Sequence, residues 1–257
     1  MMKNMIKKLL FTLWYRSGTA HRILTGPMKG MWFKCSENTG LAALYSGNEQ
    51  ANQRVYAQVV RPGDVVIDAG ANWGVHSLYL AKLVGAAGRV HAFEPHPQVV
   101  EELRWHVGQN GLRQVMIHQC GLYSSEGMIP FVLGENSKTS HIAAGDEAKG
   151  EARRVEVPSR TLDKVVAEEG ITNIRLIKVD VEGAEGELLK GAEATIRRDR
   201  PHLVVELHSP EQDLIVAKTL TDWGYKLARV EGPELLHLDK SWPEPHGVWG
   251  TLHAQPG

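Results

Sequence analysis

The chain alternates short apolar runs with segments in which apolar residues recur every three or four positions. Val65–Ala69 is typical of a buried strand, and the helical spacing of 75–83 begins after a polar turn at 70–74. This alternation continues along the chain without an internal sequence repeat. The predicted strands are 65–69, 88–95, 114–122, 173–183, 200–208, 225–232 and 247–254, and the predicted helices are 75–83, 96–112, 184–198 and 210–224.

Strands that alternate with helices predict an α/β domain with a doubly wound, mostly parallel sheet and helices on both faces. We predict that residues 61–257 form this single domain and that 1–60 form an N-terminal extension packed on it, a helix plus a strand-like segment. Segments 124–134 and 152–160 predict a strand-rich excursion around a polar loop, 134–150. We expect this loop to act as a lid that orders on ligand binding.

Polar residues stand where the predicted core strands end. Ligands of parallel α/β sheets bind beyond the carboxyl ends of the strands, so these side chains are candidates for a binding or catalytic site. The candidates are Asp68 and Glu94 on the first two strands, Asp180 and Glu182 on the fourth, and Glu206 and His208 on the fifth.

The turn after the first strand reads G-A-N-W-G, which differs from the dinucleotide pattern G-x-G-x-x-G. Asn72 occupies the place of the glycine that brings the backbone against a pyrophosphate. A ligand with a ribose and no pyrophosphate fits better, because Glu94 can accept hydrogen bonds from both ribose hydroxyls. S-adenosylmethionine is such a ligand. A nicotinamide-dependent oxidoreductase is the alternative enzyme class.

Composition narrows the classes of partner and compartment. The 257 residues are 42% hydrophobic, which suits one sizeable domain. Lys and Arg number 29 against 30 Asp and Glu, so no overall basic field favours nucleic acid as a partner. Cys35 and Cys120 lack a metal-ligand or disulfide-framework spacing, which indicates reduced thiols and a cytoplasmic location.

The first 24 residues combine lysines with a short apolar run. Lys3, Lys7 and Lys8 precede this run, which is too short to span a bilayer. We predict a basic amphipathic helix that either packs on the domain or touches a membrane surface. Nothing in the pattern predicts the oligomeric state.

The stretch "LIKVDVEGAEGELLKGA" (176–192), together with "DAGANWG" (68–74), "FEP" (93–95) and "TLD" (161–163), resembles the FkbM family of S-adenosylmethionine-dependent methyltransferases. The resemblance covers nearly the whole chain. It implies the seven-stranded, Rossmann-like class I methyltransferase fold. It also implies methylation of a hydroxyl on a sugar, glycan or natural product.

The resemblance assigns cofactor contacts to individual positions. It implies that Asp68, Gly70, Asn72 and Gly74 hold the methionine end of the cofactor, Glu94 its ribose, and the stretch at Gly121 and Leu122 its adenine. His76, in the first helical turn, is either a further cofactor contact or a packing residue. Trp73 either shields the cofactor or covers the top of the domain.

The catalytic candidates come from the fourth and fifth strands. Period-two geometry places Lys178, Asp180 and Glu182 on one face, and Glu206 and His208 on one face of the next strand. One interpretation of this cluster is that the acids have a structural role, because a buried Lys178 needs an acidic partner.

Methyl transfer to oxygen instead needs a base or a metal beside the hydroxyl, because the attacking oxygen must lose its proton. His208, with an ordinary pKa near 6.5 and Glu206 as its support, is one candidate base, and Asp180 is another. Asp180, Glu182 and His208 are alternatively ligands for a divalent metal.

The sequence does not identify the methyl acceptor. Its pocket is expected to come from the N-terminal segment, the 134–150 loop and "SWPEPHGVW" (241–249). A non-catalytic binding protein with the same fold is a further alternative, since a fold alone never establishes activity.

Overall fold

The computed structural model describes residues 19–34, 47–134, 141–142, 154–230 and 250–257. Its strands are β1 (Ala20–Arg22), β2 (Trp32–Lys34), β3 (Val65–Ala69), β4 (Arg89–Phe93), β5 (Val115–His118), β6 (Gly121–Leu122), β7 (Gly127–Val132), β8 (His141–Ile142), β9 (Arg154–Arg160), β10 (Ile174–Val179), β11 (His202–Glu206), β12 (Tyr225–Arg229) and β13 (Thr251–Pro256). Its helices are α1 (Gly47–Val59), α2 (Val75–Val84), α3 (Val99–Gln109), α4 (Leu162–Glu169), α5 (Glu185–Lys190), α6 (Glu193–Asp199) and α7 (Pro210–Asp222).

Seven strands form the main sheet, in the order β12-β13-β11-β10-β3-β4-β5. Strands β5, β4, β3, β10 and β11 are parallel, and β13 inserts antiparallel between β11 and β12. Alternate strand residues enter two different cores. Val66 and Leu176 pack with α2 and α3 on one face, while Ile67 and Ile177 pack with α4 to α7 on the other. The predicted doubly wound, mostly parallel seven-stranded sheet is confirmed.

The strand-rich excursion forms a separate four-stranded sheet, in the order β6-β9-β7-β8. The predicted strand 114–122 is wrong as a single element, because β5 stays in the main sheet and β6 pairs with β9. The predicted helix 184–198 is likewise two helices, α5 and α6. A Cβ atom on Gly191 would lie 2.0 Å from the carbonyl oxygen of Tyr123, so the chain breaks the helix where two backbones touch.

The described part of the N-terminal extension packs on the domain through apolar side chains. β1 and β2 form a hairpin, and Ile23, Met28 and Phe33 from this hairpin join the same core as Tyr56 of α1. Strands β1 and β2 lie in the extension for which we predicted a helix plus a strand-like segment. The predicted basic helix falls within residues 1–18, which lie outside the described part of the chain. Among the described helices, none is long and apolar enough to cross a membrane.

Candidate functional site

The turn between β3 and α2 uses backbone angles that favour glycine. Gly70 and Gly74 have φ of +73° and +93°, and Asn72 adopts +52° between them. A Cβ atom on Gly70 would lie 1.7 Å from the carbonyl oxygen of Asp180, so the chain after β10 closely approaches the turn. A Cβ atom on Gly74 would lie 2.5 Å from Leu103 Cδ1. The Cα of Gly74 thus faces α3. Its predicted contact with the cofactor stays a prediction.

A cleft of about 560 Å³ opens beside this turn, at the carboxyl ends of β3, β4 and β10, and we call it the Glu94 cleft. Five of the eight predicted cofactor residues line it, namely Gly70, Asn72, Glu94, Gly121 and Leu122. Its walls also include residues that the sequence analysis did not single out, namely Phe93, Pro95, His96, Phe131, Ile142 and Val181. The sheet and the excursion therefore build this cleft together.

Glu94 follows β4 and lines the cleft with a buried carboxylate. Its Oε2 accepts a hydrogen bond from the Asn72 N–H at 2.8 Å, and its Oε1 accepts one from the His96 N–H at 2.7 Å. Burial raises the pKa of this carboxyl to about 7, although both backbone hydrogen bonds act to lower it. Each carboxylate oxygen has two lone pairs, so both can accept a further hydrogen bond from a ligand hydroxyl.

Asp68 lies beneath the turn and is fully buried. It accepts a hydrogen bond from Ser77 Oγ at 2.6 Å, and its Oδ1 lies 3.3 Å from Lys178 Nζ. Asp68 therefore supports the turn from below, and its predicted contact with the cofactor stays a prediction. Trp73 is 5% exposed and belongs to the hydrophobic core, which fits the second of its two interpretations.

A second cleft, also about 560 Å³, adjoins the first, and we call it the Glu206 cleft. The two clefts share the residues Gly70, Asn72, Asp180 and Glu182. The remaining lining residues of the Glu206 cleft are Ala71, Trp73, Val75, His76, Lys178 and Glu206. His76 thus lies at a cleft wall, with its ring edge-on to Tyr56 at 5.6 Å. Asp180 and Glu182 stand where the two clefts meet.

His208 lies beside the acids that follow β10. Its Nε2 lies 3.4 Å from Asp180 Oδ1 and 3.3 Å from Glu182 Oε2, so the structure brings these three predicted residues together. Asp180 Oδ2 also lies 3.3 Å from Lys178 Nζ. Asp180 therefore pairs the buried lysine and also faces the histidine, and the catalytic role of the cluster stays a prediction.

The residue that is hydrogen-bonded to His208 is Glu185, whereas Glu206, which we expected to hold this ring or to stabilise its charge, interacts with it through charge. His208 Nδ1 and Glu185 Oε1 lie 2.8 Å apart. β11 ends at Glu206, so the period-two rule does not reach His208. Glu185, the first residue of α5, is fully buried and arrives from a different element. Its only sequence signal is its place in the "DVEGAE" stretch, which does not show which side chain it will meet.

The acids shift the pKa values across this cluster. Burial acts to lower the pKa of His208, but the hydrogen bond to Glu185 and the charges of Asp180, Glu182 and Glu185 raise it to about 9. The value near 6.5 is that of an unshifted histidine, and these neighbours shift His208 away from it. The Asp180 charge and burial raise the pKa of Glu206 to about 7, and burial raises that of Glu182 to about 7.

The same side chains have the chemistry of a divalent metal site. Asp180, Glu182 and His208 each present one ligand atom, and these atoms lie within 4.8 Å of one another. Two carboxylates and one imidazole are acceptable to magnesium, manganese or iron. The residues present therefore fit such an ion.

Two segments predicted to build the acceptor pocket lie largely or wholly outside the described residues. Of the 134–150 loop, the structure describes residue 134 and strand β8, and it describes none of 241–249. The lid and the acceptor pocket remain predictions.

A family model described as "Methyltransferase FkbM domain" matches residues 68–227. The methyltransferase sdnD of Sordaria araneosa is 34% identical over 173 residues, which cover 56% of this chain and 66% of that protein. The 31-O-demethyl-FK506 methyltransferase FkbM of Streptomyces tacrolimicus is 27% identical, with 68% of this chain and 77% of that protein covered. The hexuronic acid methyltransferase AglP of Haloferax volcanii is 29% identical, with 68% of each chain covered.

The fold is also found among solved structures. The crystal structure of methyltransferase FkbM from Methylobacillus flagellatus KT superposes with a TM-score of 0.50 at 18% identity. The match covers 79% of this chain and 50% of that one, so this chain spans half the length of that structure.

Proposed function

Because this chain belongs to the FkbM family of S-adenosylmethionine-dependent methyltransferases, we propose that it transfers the cofactor's methyl group to a hydroxyl oxygen of a sugar, glycan or natural product. Two relatives act on a hexuronic acid and on 31-O-demethyl-FK506, by their names. The observation that carries the proposal is the meeting of two clefts at Asp180 and Glu182. One cleft suits the cofactor, and the shared wall suits a hydroxyl that must lose its proton.

We assign the adenosine half of the cofactor to the Glu94 cleft. The Glu94 carboxylate suits the two ribose hydroxyls, because both of its oxygens retain acceptor capacity. A Cβ atom on Gly121 would lie 3.5 Å from Ile142 Cδ1, so this glycine keeps the apolar part of the cleft open to a flat ring such as adenine. Gly70 and Asn72 then flank the methionine end.

The residues at the shared wall supply the proton chemistry. When bound, S-adenosylmethionine supplies an electrophilic methyl group on a positively charged sulfur. The acids around His208 keep its ring largely protonated at neutral pH, so the proton of an acceptor hydroxyl passes to the neutral fraction of this imidazole or to a carboxylate. We assign this role to His208, oriented by Glu185, with Asp180 and Glu182 shaping its charge.

A divalent metal held by Asp180, Glu182 and His208 is the second candidate for activating the hydroxyl. The two candidates differ in their response to a chelator. Direct base action predicts turnover that survives chelation, and metal assistance predicts turnover that is lost and restored by a divalent ion. In the second case Asp180→Asn would lose both the bound metal and turnover.

The reaction is tested with S-adenosylmethionine labelled on its methyl group. Hexuronic acids, other sugars and natural-product alcohols are supplied as acceptors, and mass spectrometry locates the methyl group on the product. We expect the label on a hydroxyl oxygen of one acceptor class. A label on nitrogen or carbon, or tight binding of NAD without binding of S-adenosylmethionine, would overturn the proposal.

The role of His208 is tested on that acceptor with His208→Ala. We expect turnover to fall by roughly 10²–10⁴-fold while cofactor affinity changes little, because the base acts on the acceptor side. Orientation of the bound partners leaves part of the rate intact. Turnover near the wild-type value would remove His208 from the mechanism and leave Asp180 or Glu182 as the candidate.

A further inference from the structure

A second group of metal-ligating side chains lies outside both clefts. It consists of His91 on β4, His118 on β5 and Glu169 at the end of α4. None of the three lines the Glu94 cleft or the Glu206 cleft. The proposed methyl transfer does not use them, so their arrangement calls for a separate explanation.

The three side chains converge on one point. His91 Nδ1 lies 3.1 Å from His118 Nε2 and 3.7 Å from Glu169 Oε2, and His118 Nδ1 lies 3.5 Å from Glu169 Oε1. One ligand atom from each residue lies within 4.8 Å of the other two. In a tetrahedral zinc site with Zn–N and Zn–O bonds of about 2.1 Å, neighbouring ligand atoms stand about 3.4 Å apart. One ligand atom from each residue must therefore move from within 4.8 Å to about 3.4 Å of the others, by rotation of the side chains, to hold such an ion.

Rigid elements hold the two imidazoles. His91 and His118 are diagonal neighbours on paired parallel strands, because His91 registers with Met116, two residues before His118. The His118 ring stacks on Phe93 with centroids 4.4 Å apart and on His91 at 5.4 Å. His91 is 5% exposed, whereas the Glu169 side chain is 38% exposed. A metal ion thus has preformed nitrogen ligands and an approach path from solvent.

The local charges also allow a cation. Burial, the charge of His118 and the charge of Arg89 lower the pKa of His91 to about 4, and burial lowers the pKa of His118. Arg160, which is also near His118, forms ion pairs with Glu126 and Glu168. Its positive charge is thereby offset.

We propose that His91, His118 and Glu169 form a binding site for a divalent transition metal, with Zn²⁺ the best suited ion. Two imidazoles and one carboxylate are a ligand set that zinc uses with water in its fourth position. The bound ion would join the edge strand of the main sheet to α4. The site would stabilise the fold and is independent of the proposed methyl transfer.

The test is a zinc titration of the full-length protein after chelator treatment and dialysis, in competition with a chromogenic chelator. The variants are Glu169→Gln and His118→Gln, which remove a ligand at partly exposed positions. Asp222→Asn, at an exposed position on α7 near the opposite edge of the main sheet, is the matched control. Asp180→Asn removes one ligand of the Asp180, Glu182 and His208 cluster, so any zinc that binds there is distinguished from zinc bound at the proposed site.

We expect the wild type, Asp222→Asn and Asp180→Asn to bind zinc at this site equally well. Glu169→Gln and His118→Gln should each bind it at least about tenfold more weakly, since even partners outside the ligand set change metal affinity that much. At one zinc concentration, the rise in unfolding temperature should therefore be smaller in the last two proteins than in the first three. The proposal fails if the wild type takes up no zinc at micromolar concentration, or if only Asp180→Asn loses it.

Discussion

Glu185 Oε1 lies 2.8 Å from His208 Nδ1, across 23 residues of sequence. The same Oε1 accepts a hydrogen bond from the Gly183 N–H at 2.9 Å, and the whole side chain is buried. His208 is therefore held with its Nε2 towards Asp180 and Glu182, the residues at which the two clefts meet. Glu185 acts on this site through His208, which makes it a positioning residue.

Glu185→Gln tests this relationship. The amide oxygen can still accept a hydrogen bond from His208, but the negative charge is lost, so the pKa of His208 should fall from about 9 towards its ordinary value. Titration of the His208 ring by NMR measures this shift. The pH at which turnover rises should move down together with this pKa, with little change in cofactor affinity. Glu187→Gln, in the same helix and bonded to Ser124 and Lys190, should change neither quantity. An unmoved pKa in Glu185→Gln would contradict the assignment.

Glu94→Gln tests the assignment of the ribose. Loss of a charged acceptor should weaken the binding of S-adenosylmethionine by about tenfold to a hundredfold, which corresponds to about 1.5–3 kcal/mol. Isothermal calorimetry measures this affinity, and chemical unfolding confirms that the variant is folded. Glu101→Gln, on the exposed side of α3, is the control. Unchanged affinity in a folded Glu94→Gln protein would rule out the assignment.

The pKa of Glu94 near 7 predicts a pH dependence of binding. Ribose hydroxyls donate to the ionised carboxylate, so binding favours ionisation and lowers this pKa further. Affinity should therefore be full above pH 7 and fall by up to about tenfold for each pH unit below it. The probe is 5′-methylthioadenosine, which has the ribose and no ionisable amino acid group. A pH-independent affinity in the wild type, or the same slope in Glu94→Gln, would contradict this prediction.

Gly70→Ala should destabilise the protein far more than a glycine substitution made in open space. Its Cβ atom would lie 1.7 Å from the Asp180 carbonyl oxygen, in addition to the cost of a positive φ. We expect a loss of about 3 kcal/mol or more in the free energy of unfolding. Gly170→Ala is the matched control, because Gly170 has a φ of +65° and nothing within 4 Å of its Cβ position. Equal losses in denaturant unfolding would show that the close approach costs nothing.

His106 should make the stability of the fold depend on pH. Its Nε2 accepts a hydrogen bond from the Lys34 N–H at 2.8 Å, and its Nδ1 lies 2.8 Å from the Trp73 carbonyl oxygen, which matches a neutral ring. Burial lowers the pKa of His106 to about 4 in the folded protein, against an ordinary value near 6.5 in the unfolded chain.

The His106 ring binds a proton more readily in the unfolded state than in the folded state. Its neutral form therefore stabilises the fold fully above pH 6.5, and this stabilisation is lost as the pH falls to about 4. The contribution amounts to roughly 3 kcal/mol at most. His106→Gln should reduce the slope of the free energy of unfolding between these pH values, as measured by urea unfolding. A wild-type slope in the variant would contradict the prediction. The pKa values of His91 and His253 are also lowered, so these residues add to the slope in both proteins. The difference in slope between the wild type and His106→Gln therefore reports His106.

The sequence by itself determined the strands of the main sheet and the edge at which the site lies. Val65–Ala69 and the other core strands are recognisable because each is a local apolar run, and local runs need no knowledge of distant residues. Parallel strands end at a common edge, so Glu94 and Asp180 could be placed beside the same turn from their positions alone.

The tertiary structure alone decided which side chains meet and how they are charged. Glu185 supports His208 because the chain turns back after β10 and places the start of α5 beside the end of β11. The burial of Asp68 and the packing of Gly74 against Leu103 depend on neighbouring elements in the same way. The pKa of His208 follows from three acids, and one of them, Glu185, belongs to a helix that strand periodicity does not place beside it. Side-chain periodicity ends with each strand or helix, so contacts made beyond those ends are set by the folded chain.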